Sequence, residues 1–243
     1  MLVDTTRKKF ASASRSYEER CMTPRRIVGY GCSLTAGTEL GDHIVLGKSI
    51  EETDALKRSM PLYDWYSFER KHNLEAEGRQ RSWVAHLAQL YSASYDNRAQ
   101  SGASLDQCLL RMKNSLHAEH EQVIVGLTYI QRALKFDQSL EIIAKHQDLE
   151  TACWNWYRAL DQMCDMSCWF VDISDCKASI AYHWCKNESL KAYCAKTWNR
   201  AKSRLIPIDR PDTPLHANSH PHESWHIDIA RQMKEYIDEQ TTT

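Results

Sequence analysis

The sequence has little glycine, little proline, no excess of charge of either sign and no long apolar run. Eight Gly and six Pro in 243 residues are too few for a turn-dense all-β fold. The 31 Lys and Arg balance 32 Asp and Glu to a net charge of −1, which excludes the basic surface expected of a protein that binds nucleic acid or an anionic membrane. No apolar run reaches the roughly 18 residues of a membrane span. We therefore expect neither nucleic acid nor a membrane among the partners.

Cysteine is plentiful, and its distribution bears on the cellular compartment. There are nine Cys, an odd number that cannot pair completely within one chain, and no C-x-x-C pair occurs. Because the start of the chain also lacks the apolar core of a secretory signal, we expect free thiols in the core of a cytoplasmic protein. Zinc is the alternative. Six of the cysteines fall within about 40 residues: Cys153, Cys164, Cys168, Cys176, Cys185 and Cys194.

Strand and helix patterns alternate along the chain. Ile27–Gly31, QVIVGLT and SRLIPID are typical of short buried strands. SWVAHLAQL after Ser82 and the closing WHIDIARQMKEYIDE are typical of amphipathic helices. Residues 137–200 favour helix, although SCWFVDIS within them fits a strand or a buried helix equally well. This order predicts an α/β fold with a parallel sheet covered by helices on both faces.

The same patterns suggest one domain. Residues 1–26 are polar and form an N-terminal arm of uncertain order, and residues 27–243 form the domain. Residues 41–80 are an insertion, helical in part, which we expect to form part of the pocket wall or a lid.

Four short segments place small or polar residues just after a strand or ahead of a helix. They are Gly31–Thr35, Asn97–Gly102, Gly126–Thr128 and Ser219–Pro221. In parallel α/β sheets, ligands bind at the carboxyl ends of the strands. These segments are therefore the candidate site.

Taken together, the four segments resemble the SGNH (GDSL-type) hydrolase family over roughly residues 27–236. The string GCSLTAGTEL is most similar to the branch that writes its first block as G-C-S-x-T-x-G, common in phage and bacterial genomes. The resemblance implies a three-layer α/β/α sandwich with a short parallel sheet, of the flavodoxin-like SGNH hydrolase type. It also implies a serine nucleophile and no cofactor.

The resemblance assigns a role to individual positions. Ser33 falls on the nucleophile and His220 on the general base. Gly102 and Thr128 fall on the oxyanion hole. A second family histidine falls on His226.

The chain departs from the family pattern in two places. Thr128 stands where Asn is usual, and a hydroxyl reaches less far than an amide. The acid of the triad normally precedes the His by two or three residues, where this chain has Ala217 and Asn218. Asn218, Asp212 or a backbone carbonyl is then the candidate to orient His220, and these substitutions imply a modest activity. Arg132 is a candidate for holding an anionic group of the substrate at the pocket mouth.

The function that follows is a serine esterase or acyl hydrolase acting on a small acyl or carbohydrate O-acyl ester. One alternative is a degenerate member that serves as a non-catalytic binding or structural subunit. Another is a metal-dependent enzyme built on the histidines of residues 216–226. The glycine spacing of GYGCSLTAG does not fit a dinucleotide fingerprint. The sequence leaves the oligomeric state open.

Overall fold

The computed structural model describes most of the chain from residue 24 onward. The described residues are 24–115, 117–118, 121–130, 149–173, 183, 185–209, 214–216 and 220–242. Nearly all of the predicted N-terminal arm lies outside them, as do three candidate residues: Arg132, Asp212 and Asn218.

A five-stranded parallel sheet forms the centre of the molecule, with the order β2-β1-β3-β4-β5. The strands are β1 (Arg26–Tyr30), β2 (Ser94–Asn97), β3 (Glu121–Gly126), β4 (Trp169–Val171) and β5 (Leu205–Ile206). The predicted parallel sheet is confirmed. The segment 167–174, which fitted a strand or a helix, contains a strand of the sheet.

Ten helices lie in the described part of the chain. The first five lie between β1 and residue 81: α1 (Ser33–Ala36), α2 (Asp42–Leu46), α3 (Ile50–Ser59), α4 (Leu62–His72) and α5 (Leu74–Gln80). Five others complete the set: α6 (Trp83–Leu90), α7 (Leu105–Lys113), α8 (Leu149–Cys164), α9 (Glu188–Lys202) and α10 (Glu223–Thr242). The last helix starts at Glu223, two residues before the predicted segment WHIDIARQMKEYIDE, and continues to Thr242.

Successive strand residues point into two separate cores, because side chains alternate across a strand. Ile27 and Ile124 pack with α6 and α10 on one face. Val28 and Val125 pack with α7, α8 and α9 on the other. The predicted three-layer sandwich is confirmed.

Two observations concern the cysteines and the length of the helices. Seven described cysteines are free and buried, where a thiol behaves as a small hydrophobe. No helix of the described residues has the length and apolar character needed to cross a bilayer.

Candidate active site

The strand order brings three of the four predicted segments to one edge of the sheet. β1 lies between β2 and β3, so the loop that carries Ser33 is flanked by the loops that carry Gly102 and Thr128. The amide of Gln100 donates to the carbonyl of Gly31 at 3.1 Å, which ties the first two loops together. Sheet topology thus supplies the convergence that the sequence predicted.

Ser33 is the first residue of the short helix α1 and is 5% exposed. The first amides of a helix have no partner within it, so the N–H groups there are available to an anion. Among the described residues the Ser33 hydroxyl has no hydrogen-bond partner, so Oγ is not bonded to His220 in this structure. Catalytic hydrogen bonds are often long before substrate binds.

Thr35 fixes the turn that presents Ser33. A Cβ atom at either Gly31 or Gly126 would lie 2.2 Å from Thr35 Oγ1. The two glycines therefore let the Thr35 side chain sit between the ends of β1 and β3. Any side chain at either position would push the α1 turn away from β3.

Asn97 secures the second loop. Its side chain is buried and donates to the carbonyl of Thr35 at 2.8 Å and to Ser82 Oγ at 2.9 Å. Gly102 follows with a φ of 75°, in the left-handed region that favours glycine. Because glycine has no Cβ atom, no side chain of its own covers the backbone N–H of Gly102.

Thr128 is fully buried. Its carbonyl accepts a hydrogen bond of 2.9 Å from Trp156 Nε1, and its hydroxyl has no partner among the described residues. Burying a hydroxyl without a hydrogen-bond partner costs folding free energy. The Thr128 hydroxyl is therefore an unused donor just after the end of β3.

His220 meets a carboxylate that the sequence did not single out. His220 Nδ1 lies 2.8 Å from Oε2 of Glu39. An ionised carboxylate only accepts hydrogen bonds, so Nδ1 donates to it, and a neutral ring in this orientation has its lone pair on Nε2. Asn218 and Asp212, the predicted candidates for orienting His220, lie outside the described residues.

Glu39 is close to Ser33 along the chain as well as in space. It lies three residues beyond the end of α1, and the amide of the preceding Thr38 donates to the carbonyl of Ser33 at 3.1 Å. Its φ of 75° is unusual for a residue with a side chain, and such strain is common at functional sites.

Glu39 is ionised although its side chain is 0% exposed. Burial alone would raise its pKa, but the hydrogen bond to His220 and the charge of Lys57 outweigh burial and lower the pKa to about 2. Lys57 Nζ lies 2.8 Å from Glu39 Oε1. A buried carboxylate that stays ionised in this way can accept a hydrogen bond from the histidine ring throughout the neutral pH range.

The loop that carries His220 is closed on itself. The amide of His216 donates to the carbonyl of His220 at 2.7 Å, and that of His222 to Pro214 at 3.2 Å. The rings of His216 and His222 stack with centroids 4.2 Å apart. Burial and the neighbouring His222 lower the pKa of His216 to about 4, so this ring is neutral and packs as an aromatic group.

His226 contacts the start of helix α6 rather than the proposed triad. It is fully buried, and its Nδ1 accepts a hydrogen bond of 3.2 Å from the amide of Trp83 at the start of α6. Burial, with smaller contributions from neighbouring histidines, lowers its pKa to about 3. A neutral ring here caps the helix.

A metal centre finds no support in the described residues, because no group of three or more His, Cys, Asp or Glu there is arranged to hold an ion.

Comparison with known proteins gives the fold its context. No protein-family model matches the sequence, and a search of curated proteins finds no match. Among solved structures, one similar chain is a carbohydrate esterase with 13% identity and a TM-score of 0.52, over 88% of this chain and 68% of the other. Another is a carbohydrate esterase family 2 enzyme with a carbohydrate-binding domain, from Corynascus thermopiles (Myceliophthora fergusii). It has 10% identity and a TM-score of 0.50, over 90% and 67% of the two chains.

A third similar structure, assigned to the SGNH hydrolases, comes from Slackia heliotrinireducens, with 13% identity and a TM-score of 0.43 over 88% and 99% of the two chains. At these identities the likeness concerns the fold. The chain therefore shares its fold with the two carbohydrate esterases.

Proposed function

We propose that this protein is a serine ester hydrolase of the SGNH type, with Ser33 as nucleophile, His220 as general base and Glu39 as the acid of the triad. The observation that carries the proposal is the 2.8 Å contact between His220 Nδ1 and a fully buried, ionised Glu39. A histidine oriented in this way is what nucleophile activation requires. The esterases with the same fold support the reaction class.

The steps follow from the atoms available. Ser33 Oγ attacks the ester carbonyl carbon while His220 Nε2 takes the hydroxyl proton. The tetrahedral oxyanion accepts hydrogen bonds from the N–H groups of Ser33 and Gly102, with the Thr128 hydroxyl as a further donor. The C–O bond to the alcohol breaks as Nε2 returns the proton. Water then attacks the acyl-enzyme by the same route and frees Ser33.

The substrate class we favour is a small acyl ester or a carbohydrate O-acyl ester, because Ser33 is only slightly exposed and esterases of this fold include carbohydrate esterases. We further propose a cytoplasmic location, in agreement with the free buried thiols.

The test combines turnover with active-site labelling. The wild-type protein should hydrolyse p-nitrophenyl acetate and react with a fluorophosphonate probe, and Ser33→Ala should lose both. Ser203→Ala, at an exposed serine outside the four candidate segments, serves as the matched control and should keep the labelling. Glu39→Gln should lower kcat/KM by about 10²-fold or more, because the neutral amide no longer stabilises the imidazolium.

The competing proposal is a non-catalytic binding subunit, which is favoured by the unbonded Ser33 hydroxyl. It predicts a folded protein without ester turnover or labelling at any pH. Labelling that persists in Ser33→Ala would remove Ser33 from the nucleophile's role.

A further inference from the structure

Two buried charged residues, Lys57 and Asp42, lie behind the proposed triad, and no step of the proposed mechanism uses them. Lys57 Nζ lies 2.8 Å from Glu39 Oε1 and 2.8 Å from Asp42 Oδ2. All three side chains are at most 2% exposed. The Lys57 ammonium also lies 5.1 Å from the centroid of the Trp65 ring, which favours a cation there.

We infer that Lys57 and Asp42 are positioning residues for the triad: Lys57 keeps Glu39 ionised and in place, and Asp42 restores the negative charge that Lys57 cancels. This inference rests on the proposed function. It assigns a role in the reaction to the segment 41–80, which supplies both residues.

The charge balance explains why two residues are needed. A lone Lys57 beside Glu39 would leave a neutral pair, which does little for an imidazolium on His220. With Asp42 included, the group carries a net charge of −1, the same as a single carboxylate. Burial raises the pKa of Asp42, and the charge of Lys57 opposes that increase.

Removing Lys57 alone leaves two buried carboxylates close together, and such a pair holds a proton at neutral pH. Glu39 would then be partly protonated and would orient His220 poorly. Removing Asp42 as well eliminates the second carboxylate. Glu39 is then the remaining carboxylate of the group and carries its charge of −1 without Lys57. The double variant should therefore work better than Lys57→Met.

Other titratable groups surround Glu39, and they set the pH range of the test. His220 and His216 face it from the loop of residues 214–222. Glu69 on α4 interacts with both Glu39 and Asp42, and burial together with those carboxylates raises its pKa to about 7. Glu69 is thus largely protonated below pH 7, where it adds little charge.

The experiment measures kcat/KM for p-nitrophenyl acetate between pH 6 and pH 9. At pH 6.5 we expect Lys57→Met to lose about 10-fold or more and to recover as the pH rises and Glu39 ionises. Asp42→Asn should lose less than about 10-fold, and its kcat/KM should change less between pH 6 and pH 9 than that of Lys57→Met. Lys57→Met/Asp42→Asn should return to within about 3-fold of Asp42→Asn. Lys191→Met, which removes a surface lysine, is the control and should match the wild type.

A second measurement does not depend on turnover. Carboxyl 13C NMR should show Glu39 titrating near pH 2 in the wild type and at higher pH in Lys57→Met. If the wild-type protein lacks esterase activity, the proposed function fails while this titration still tests Lys57. A merely structural role predicts a loss that does not change with pH and is larger in the double variant than in either single variant. That result, or an unchanged Glu39 titration in Lys57→Met, would overturn the inference.

Discussion

Glu69 provides a quantitative test of the buried electrostatics. It lies on α4, is 5% exposed, and its pKa is raised from 4.5 to about 7 by burial and by the carboxylates of Asp42 and Glu75. The folded protein therefore keeps a proton that the unfolded chain releases. The free energy of unfolding should fall as the pH rises from about 4.5 to 7, by about 3 kcal/mol in total.

Glu69→Gln removes the proton equilibrium while keeping the size of the side chain. We expect the stability of the variant relative to the wild type to be about 2 to 3 kcal/mol greater at pH 8 than at pH 5. Urea denaturation followed by tryptophan fluorescence at each pH measures it. Glu188→Gln is the control, because its carboxylate side chain is 81% exposed, and its effect should vary by less than about 0.5 kcal/mol. A Glu69→Gln effect of equal size at pH 5 and pH 8 would refute the reasoning.

Two further predictions concern the packing around the site. Gly126→Ala places a methyl group 2.2 Å from Thr35 Oγ1 and should lower the free energy of unfolding by about 1–3 kcal/mol. In urea denaturation, adding Thr35→Ala should recover part of this loss. If the losses of the two single variants simply add in the double variant, the contact is contradicted. Because burial lowers the pKa of His226 to about 3, the wild type should lose stability as the pH falls below about 6.5, and thermal denaturation of His226→Gln should show a weaker pH dependence. An identical pH dependence of Tm in both proteins would show that His226 does not titrate on unfolding.

The strand ends could be predicted from the sequence because their signals are local. Val123, Ile124 and Val125 followed by Gly126 indicate a buried strand and the place where it ends. Ser82 indicated the start of a helix, and its Oγ accepts the Ala85 amide. Parallel strands then place their following loops at one edge, so the convergence of three candidate segments required only the order of elements.

The acid beside His220 could not be predicted in the same way. Glu39 and His220 are 181 residues apart, and the sequence analysis looked for the acid next to the histidine. The only local signal was an acidic residue between two glycines, in GTELG. The burial of Lys57 could not be predicted either. SIEETDALKRSM has the composition of an exposed charged helix, although Lys57 is buried.

The sequence by itself determined the alternation of strands and helices, because hydrophobic period, helix caps and glycine positions act over a few residues. It also determined which loops follow the strands. Only the tertiary structure decided which charges are buried together, since Glu39, Asp42, Lys57 and His220 meet through the packing of α2, α3 and the loop of residues 214–222. The energy of a buried charge depends on all of its neighbours at once, and those neighbours are distant in the sequence.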